Sequence, residues 1–412
     1  MAEPFTDRPR TREDMMPALA LVAATAVSLI GSQLTLVALP WFVLQVTGSP
    51  AQTGLTGSFL ALPQFVSGIL GGVVIDRLGY RRVSIAADLV SGAGIAAIPL
   101  LYATGGLAFW QILALVFVGG LLAIPGLTAR RAMLPELAEM AGWRLERMNA
   151  IFEGITYMAL LVGPAAAGVL VTFMGAANVL WLDAATFVFS AALVRLAVPQ
   201  LGAPRSDTES SIVGQLTAGL RSLAHDRLLL VLAVQLTITN FLLGPLFAVI
   251  LPVYARDTYG NAAALGLLLA SLGLGSVGGA VAYGLVGHRF KRRQLWLAGY
   301  LAVSFDFAAL VLGLPLPLVL GVFLVTGFVA GPLNPLLVTV RHERIPPEMR
   351  GRVFSTFSAV AQIAQPLGMA AGGTAIEVFG FVSTVATLGA AMLIFALALT
   401  RVRVLREMER TP

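Results

Sequence analysis

The chain has 412 residues, of which 58% are hydrophobic and 12% charged, and its formal net charge is +6. A soluble domain carries about 25% charged residues, so this chain lacks the polar groups to cover itself in water, and lipid must surround most of it. Cysteine is absent, which excludes disulfides and thiolate metal sites.

A helix that crosses a bilayer needs about 20 apolar residues. Residues 1–16 are polar and charged and are predicted to be a cytoplasmic N-terminal tail without a cleaved signal. Six apolar runs follow, near 17–46, 52–76, 83–104, 107–130, 148–174 and 177–197, and make a predicted six-helix bundle over 17–197. The longest polar break, 198–226, is predicted to be a cytoplasmic linker. Within it Ile212, Leu216, Leu220 and Leu223 recur at helical spacing, which fits a short helix on the membrane surface and a merely compact linker equally. Six more runs, near 228–256, 262–286, 294–314, 316–340, 351–377 and 380–401, make a second bundle over 227–402, with a C-terminal tail at 403–412. The fold class predicted is therefore an all-α membrane protein of twelve transmembrane helices in two pseudo-symmetric bundles. With both termini cytoplasmic, every basic residue except Arg256 falls on the inner side, as the positive-inside rule requires.

The second run ends in GGVVIDRLGYRRV, residues 71–83. Asp76 sits at the C-terminal end of its helix, where the helix dipole disfavours a carboxylate by roughly 0.3–1 kcal/mol. An arginine or the start of another helix must offset that. Gly72 and Gly79 permit close approach and a tight turn, and Arg77, Arg81 and Arg82 supply donors suited to carboxylates. The two halves carry matching features. Arg130 precedes Pro135-Glu136 by five residues and Arg341 precedes Pro346-Pro347 by five; Gly71-Gly72 corresponds to Gly278-Gly279, and Pro164 to Pro366.

Acids inside spans are functional candidates by default. Asp306 lies near the middle of the ninth run and Asp183 about one turn into the sixth, while Asp88 and Glu153 lie about one turn from the inner ends of theirs. All four are candidates for proton coupling, and structural hydrogen bonding is the open alternative. The fourth run, placed at 107–130, carries no arginine in its middle. The one lysine, Lys291, has no glycine-rich loop before it, so a P-loop is absent. The three histidines are far apart. No metal, cofactor, catalytic cluster or nucleic-acid partner is expected.

The pattern Gly72, Asp76-Arg77, Gly79, Arg81 and Arg82 resembles the signature loop between helices two and three of the major facilitator superfamily. Tyr80 stands where many members have a basic residue, and the second copy, GHRFKRRQ, lacks the acid. GPAAAG, with Gly163, Pro164 and Gly168, is similar to the glycine-proline motif of drug-exporting proton antiporters. LVALPWFVLQVTGSP, ARRAMLPEL and MNAIFEG are similar to bacterial macrolide and siderophore exporters.

The resemblance implies a major facilitator fold in a bacterial cytoplasmic membrane, monomeric, with the loop acid facing the turn around 348–353 when the transporter opens outward. It implies a central cavity near helices one, four, seven and ten. Candidate lining residues are Gln33, Gln64, Tyr157, Gln235, Asn240, Asn334, Gln362 and Gln365, among many apolar neighbours such as Phe241. Such a cavity suits a bulky lipophilic ligand. The expected function is export of lipophilic small molecules by proton antiport. Export of one dedicated metabolite or siderophore, nutrient uptake, and a non-transporting sensor or scaffold are the alternatives.

Overall fold

The computed structural model describes residues 12–201 and 220–409. Twelve helical rods follow one another in it: α1 Arg12–Thr47, α2 Pro50–Leu78, α3 Tyr80–Ala103, α4 Phe109–Gly120 continuing as Ala123–Ala141, α5 Leu145–Met174 and α6 Ala176–Ala197, then α7 Arg227–Pro245 continuing to Tyr259, α8 Ala262–Val286, α9 Arg292–Val311, α10 Leu316–Ala330 continuing as Leu333–Arg344, α11 Arg350–Gln362 continuing as Gln365–Phe379, and α12 Phe381–Arg401. Among the described residues ten of these rods are long and apolar enough to cross a membrane. Of the other two, α2 has 29 residues, and α11 is interrupted at 363–364 into pieces of 13 and 15 residues.

Helices dominate because lipid offers the backbone no hydrogen-bond partners, so each N–H and C=O must be satisfied within its own segment. The rods bend where that rule is locally relaxed. Both α4 and α10 break in the same place of their halves, at Leu121-Leu122 and at Gly331-Pro332. Past Pro245 and around Pro252, α7 widens into two π-helical turns, 246–250 and 255–259, since proline donates no hydrogen bond and crowds the preceding turn. Gly175 alone separates α5 from α6, and Gly380 alone separates α11 from α12, with φ of +83° and +84°. A side chain would be strained at either turn. The same one-residue joint in both halves is the clearest trace of the internal repeat.

In the first half α1 packs on α4, α5 and α6, and α3 on α4 and α6; in the second, α8 packs on α10, α9 on α10 and α12, and α7 on α11. The halves meet through α2 with α11 and α5 with α8. Glycines set both seams. A Cβ on Gly54 would lie 2.4 Å from the Met369 carbonyl oxygen, one on Gly373 2.5 Å from that of Pro50, and one on Gly266 2.6 Å from that of Pro164. These contacts gather toward the end opposite the arginine-rich loops.

Two features depart from the expected boundaries. The linker stretch with Ile212 and Leu216 lies outside the described residues, whereas residues 220–225 are helical with Leu223 buried. The expected C-terminal tail folds back as a 3-10 helix, Arg403–Glu409, that buries Leu405 and Met408. Arg292 holds it by a 3.3 Å bond to the Met408 carbonyl while pairing with both oxygens of Glu343 at 2.6 and 2.8 Å.

Replacing Gly266 with Val forces the α5–α8 seam apart. The expected loss is about 1–3 kcal/mol of stability, read as a lower unfolding temperature in detergent, with a smaller drop for Gly284→Val, where the added Cβ meets open space.

Candidate functional site

The loop after α2 is short because Gly79 alone joins α2 to α3. Asp76, Arg77 and Arg82 are exposed, and Gly79 and Arg81 half-buried. Arg81 reaches across to the end of α6, donating to the carbonyls of Val194 at 3.5 Å and of Arg195. These are terminal carbonyls of a helix, where a cation is favoured. The loop therefore fastens α3 to α6 through Arg81 and leaves Asp76 in the open, beside a small recess of about 190 Å³ shared with Gln200 and Leu201. Gly72 lies on α2.

The glycine-proline stretch faces two ways. Gly163 and Pro164 are buried in α5. A Cβ on Gly163 would come within 2.4 Å of Gln33 Cβ on α1, and one on Gly168 within 2.6 Å of the Ala262 carbonyl and 2.8 Å of Gly266 Cα on α8. The motif lets α5 touch its own half and the other half at once. Nearby, Thr172 Oγ1 accepts from the Ala263 N–H at 2.9 Å, a cap from α5 to the first turn of α8.

The sequence places the fourth span at 107–130, with Arg130 at its end and no arginine in its middle. The structure corrects this: α4 continues to Ala141, and Arg130 is only 4% exposed. Its guanidinium forms an ion pair with Asp88 of α3. It also donates to Ser84 at 3.0 Å and to Ser190 of α6 at 2.9 Å. Asp88 also accepts from Ser28 of α1 at 3.1 Å, and Ser190 in turn donates to the Ala24 carbonyl at 3.0 Å. Four helices of the first half converge on this one buried pair. The signal for it was weak in the sequence, because its members lie 42 to 60 residues apart. The equivalent residue of the second half, Arg341, instead lies over the rings of Phe354 and Phe357 of α11, at 4.1 and 4.9 Å.

The other three acids have different company. Asp183 is fully buried, accepting from Thr35 of α1 and, at 3.2 Å, from Thr186. Asp306 is 1% exposed and accepts from Thr326 of α10 at 2.5 Å. Among the described residues neither has a basic partner. Glu153 of α5 pairs with Arg131 of α4 at 3.0 Å, with nearly half of each side chain exposed. Of the four, Glu153 alone is open to solvent.

The uncharged candidates divide as well. Gln235 is buried and accepts from the Trp296 indole N–H at 3.0 Å, and Asn240 donates to the Ala361 carbonyl at 2.7 Å. Both thus tie α7 to neighbouring helices. Gln33 and Gln365 are half-buried, whereas Gln64, Tyr157, Asn334 and Gln362 are exposed. Phe241 lines an apolar groove of about 450 Å³ shared by α7, α11 and α12.

The family model described as Major Facilitator Superfamily matches residues 21–316 and 237–412. The multidrug efflux pump Tap of Mycolicibacterium fortuitum is 31% identical over 398 residues, 95% of this chain and 97% of that protein. Macrolide efflux protein A of Streptococcus pyogenes is 25% identical over 359 residues, 84% of this chain and 86% of that protein. Among solved structures, the nucleoside transporter NupG superimposes with a TM-score of 0.78 at 13% identity, over 93% of this chain and 98% of that one.

Removing one member of a buried ion pair costs about 3–5 kcal/mol, because the other is left uncompensated. Arg130→Met is therefore expected to lower folded yield and unfolding temperature sharply. Asp88→Asn together with Arg130→Met should recover much of the loss in the same melting assay.

Proposed function

Because the chain belongs to the major facilitator superfamily, we propose that it is a secondary transporter that exports lipophilic small molecules, drugs or secondary metabolites, across a bacterial cytoplasmic membrane in exchange for protons. The observation that carries this reading is the seat of Gly163, Pro164 and Gly168 between α1 and α8. There the two halves can lean together or part about one narrow line, which is what a rocking motion needs. The efflux function named for the relatives supports the direction of transport. The side given to each end follows from the arginines: the basic loops face the cytoplasm, with both termini.

In this scheme Asp76 is a cytoplasmic latch. It is exposed here, where the halves are joined at the opposite end. When the cytoplasmic ends come together, it meets the start of α11. Arg77 and Arg82 flank it, and Arg81 anchors the loop. Glu153 is the group we assign to proton exchange, since it is open to solvent and carries a paired arginine that can hold the carboxylate when the proton leaves. Asp88 is committed to Arg130, and Asp183 and Asp306 to hydroxyls that join neighbouring helices. Gln33, Gln64, Tyr157, Asn334, Gln362 and Gln365 provide the sparse polar contacts of an otherwise apolar route. Gln235 and Asn240 support it from behind. The transporter works as a monomer, its lipid-facing sides covered by acyl chains.

Expression in a pump-deficient host is expected to raise tolerance to several lipophilic antibiotics, and a protonophore should abolish the gain. Glu153→Gln should remove proton-dependent export at unchanged membrane abundance; unaltered tolerance would take Glu153 out of the mechanism. Asp76→Asn is expected to slow export by about tenfold or more with normal expression, measured as efflux of a fluorescent substrate from preloaded cells.

A further inference from the structure

The end of the molecule away from the arginine loops holds a contact between the halves that neither the signature loop nor the glycine-proline motif includes. Glu377 lies in the last turn of α11 and is exposed. Its Oε2 accepts from the Ser49 hydroxyl and, at 3.1 Å, from the Ala51 N–H. Ser49 is the N-cap of α2, and its own oxygen accepts from the Gln52 N–H at 3.1 Å. The first helical residue of α2 is Pro50, which has no N–H, and its first turn contains no acid. Ala51 is thus the first free donor of the helix, and the anion that satisfies it comes from the other half of the chain.

Such a site favours a carboxylate twice, through the unpaired N–H groups of a helix start and through the positive end of the dipole. The backbone around it is set for contact. Gly373, one turn before Glu377 and on the same face of α11, is the residue whose Cβ would lie 2.5 Å from the Pro50 carbonyl. The glycine brings the helices together and the acid fastens them. Because Glu377 is exposed, parting the halves returns it to water at little desolvation cost, so the fastening is reversible.

Helices α2 and α11 therefore each carry an acid near the C-terminal end, Asp76 on one and Glu377 on the other. We propose that Glu377 is the gate residue of the outer face: it holds that face shut by capping α2, and its release accompanies outward opening. It is the counterpart of Asp76, which would cap α11 when the cytoplasmic face is shut. The pairing with Asp76 rests on the reading of the signature loop given above; the Glu377 contact does not.

The natural absence of cysteine allows spin labels to be placed without a background. One pair, Thr104→Cys with Leu312→Cys, spans the outer end between exposed positions of the two halves. A second, Glu139→Cys with Arg289→Cys, spans the cytoplasmic end. Distances are measured by electron–electron double resonance on purified protein in lipid nanodiscs. Glu377→Ala is expected to lengthen the outer distance and shorten the inner one, raising the ratio of outward-open to inward-open protein by at least about fivefold. Ser49→Ala, which removes one donor and keeps the acid, should shift both distances the same way by less. Unchanged distributions in Glu377→Ala overturn the proposal. If that variant does not accumulate, unchanged distributions in Ser49→Ala do so. Asp76→Asn tests the signature-loop reading separately. A shift toward inward-open supports the pairing of the two acids, and no shift removes the pairing while leaving the Glu377 result to stand on its own.

Discussion

A charge placed in lipid must find its partner inside the protein, and in this chain one such pair organises half the molecule. Arg130 and Asp88 sit where α1, α3, α4 and α6 come together, and three serine hydroxyls fill out their hydrogen bonding. Neither residue is tolerable there alone. Together they fix how four helices are rotated about their own axes, which apolar packing specifies only weakly when lipid tails are as greasy as the side chains. The first half is thereby a stiff body. The second half reaches the same end differently, with Trp296 bonded to Gln235, Asp306 to Thr326, and a cluster of arginines and acids at its basic end that clasps the C-terminal 3-10 helix.

Stiff bodies are useful to a transporter only if the joint between them is loose, and the joint here is chemically unlike the interiors. Along α5–α8 and α2–α11 the close contacts are glycine against backbone. At these glycine crossings no long side chain has to be disengaged for the halves to lean. Polar contacts cross the joint mostly toward the end away from the arginine-rich loops and at helix starts, Thr172 to the N–H of Ala263 and Glu377 to Ser49 and Ala51, while farther in Ser58 of α2 donates to the Pro366 carbonyl of α11 at 2.6 Å. Arg256 adds a 3.3 Å bond from α7 to the Leu44 carbonyl of α1. Close glycine crossings between the halves fit the alternating access proposed above.

Much of this could be read from residue order. Twelve apolar runs, the alternation of arginines and the paired prolines and glycines foretold two six-helix halves, because lipid imposes length and polarity rules on each segment separately. What escaped were facts that depend on residues distant in sequence. Arg130 stands at the end of the fourth apolar run, where a pair of arginines, Arg130-Arg131, normally marks the end of a span. Only Asp88 and Ser190, on other helices, reveal why α4 continues past it. Gln235 and Asn240 are cavity candidates by their helix, and their bonds to Trp296 and the Ala361 carbonyl depend on neighbours far away in the chain. Glu377 drew no attention because an acid at the end of a span is ordinary. Its meaning comes from Ser49, more than three hundred residues earlier, and from the missing N–H of Pro50.

The central claim is that a proton gradient drives lipophilic compounds through this joint. Purified protein in liposomes with an acid lumen tests it most directly, by following uptake of a fluorescent lipophilic substrate after dilution into neutral buffer. The account predicts accumulation above the outside concentration that collapses when a protonophore is added. Uptake of the same size without a pH gradient, or none beyond that of protein-free liposomes, would contradict it.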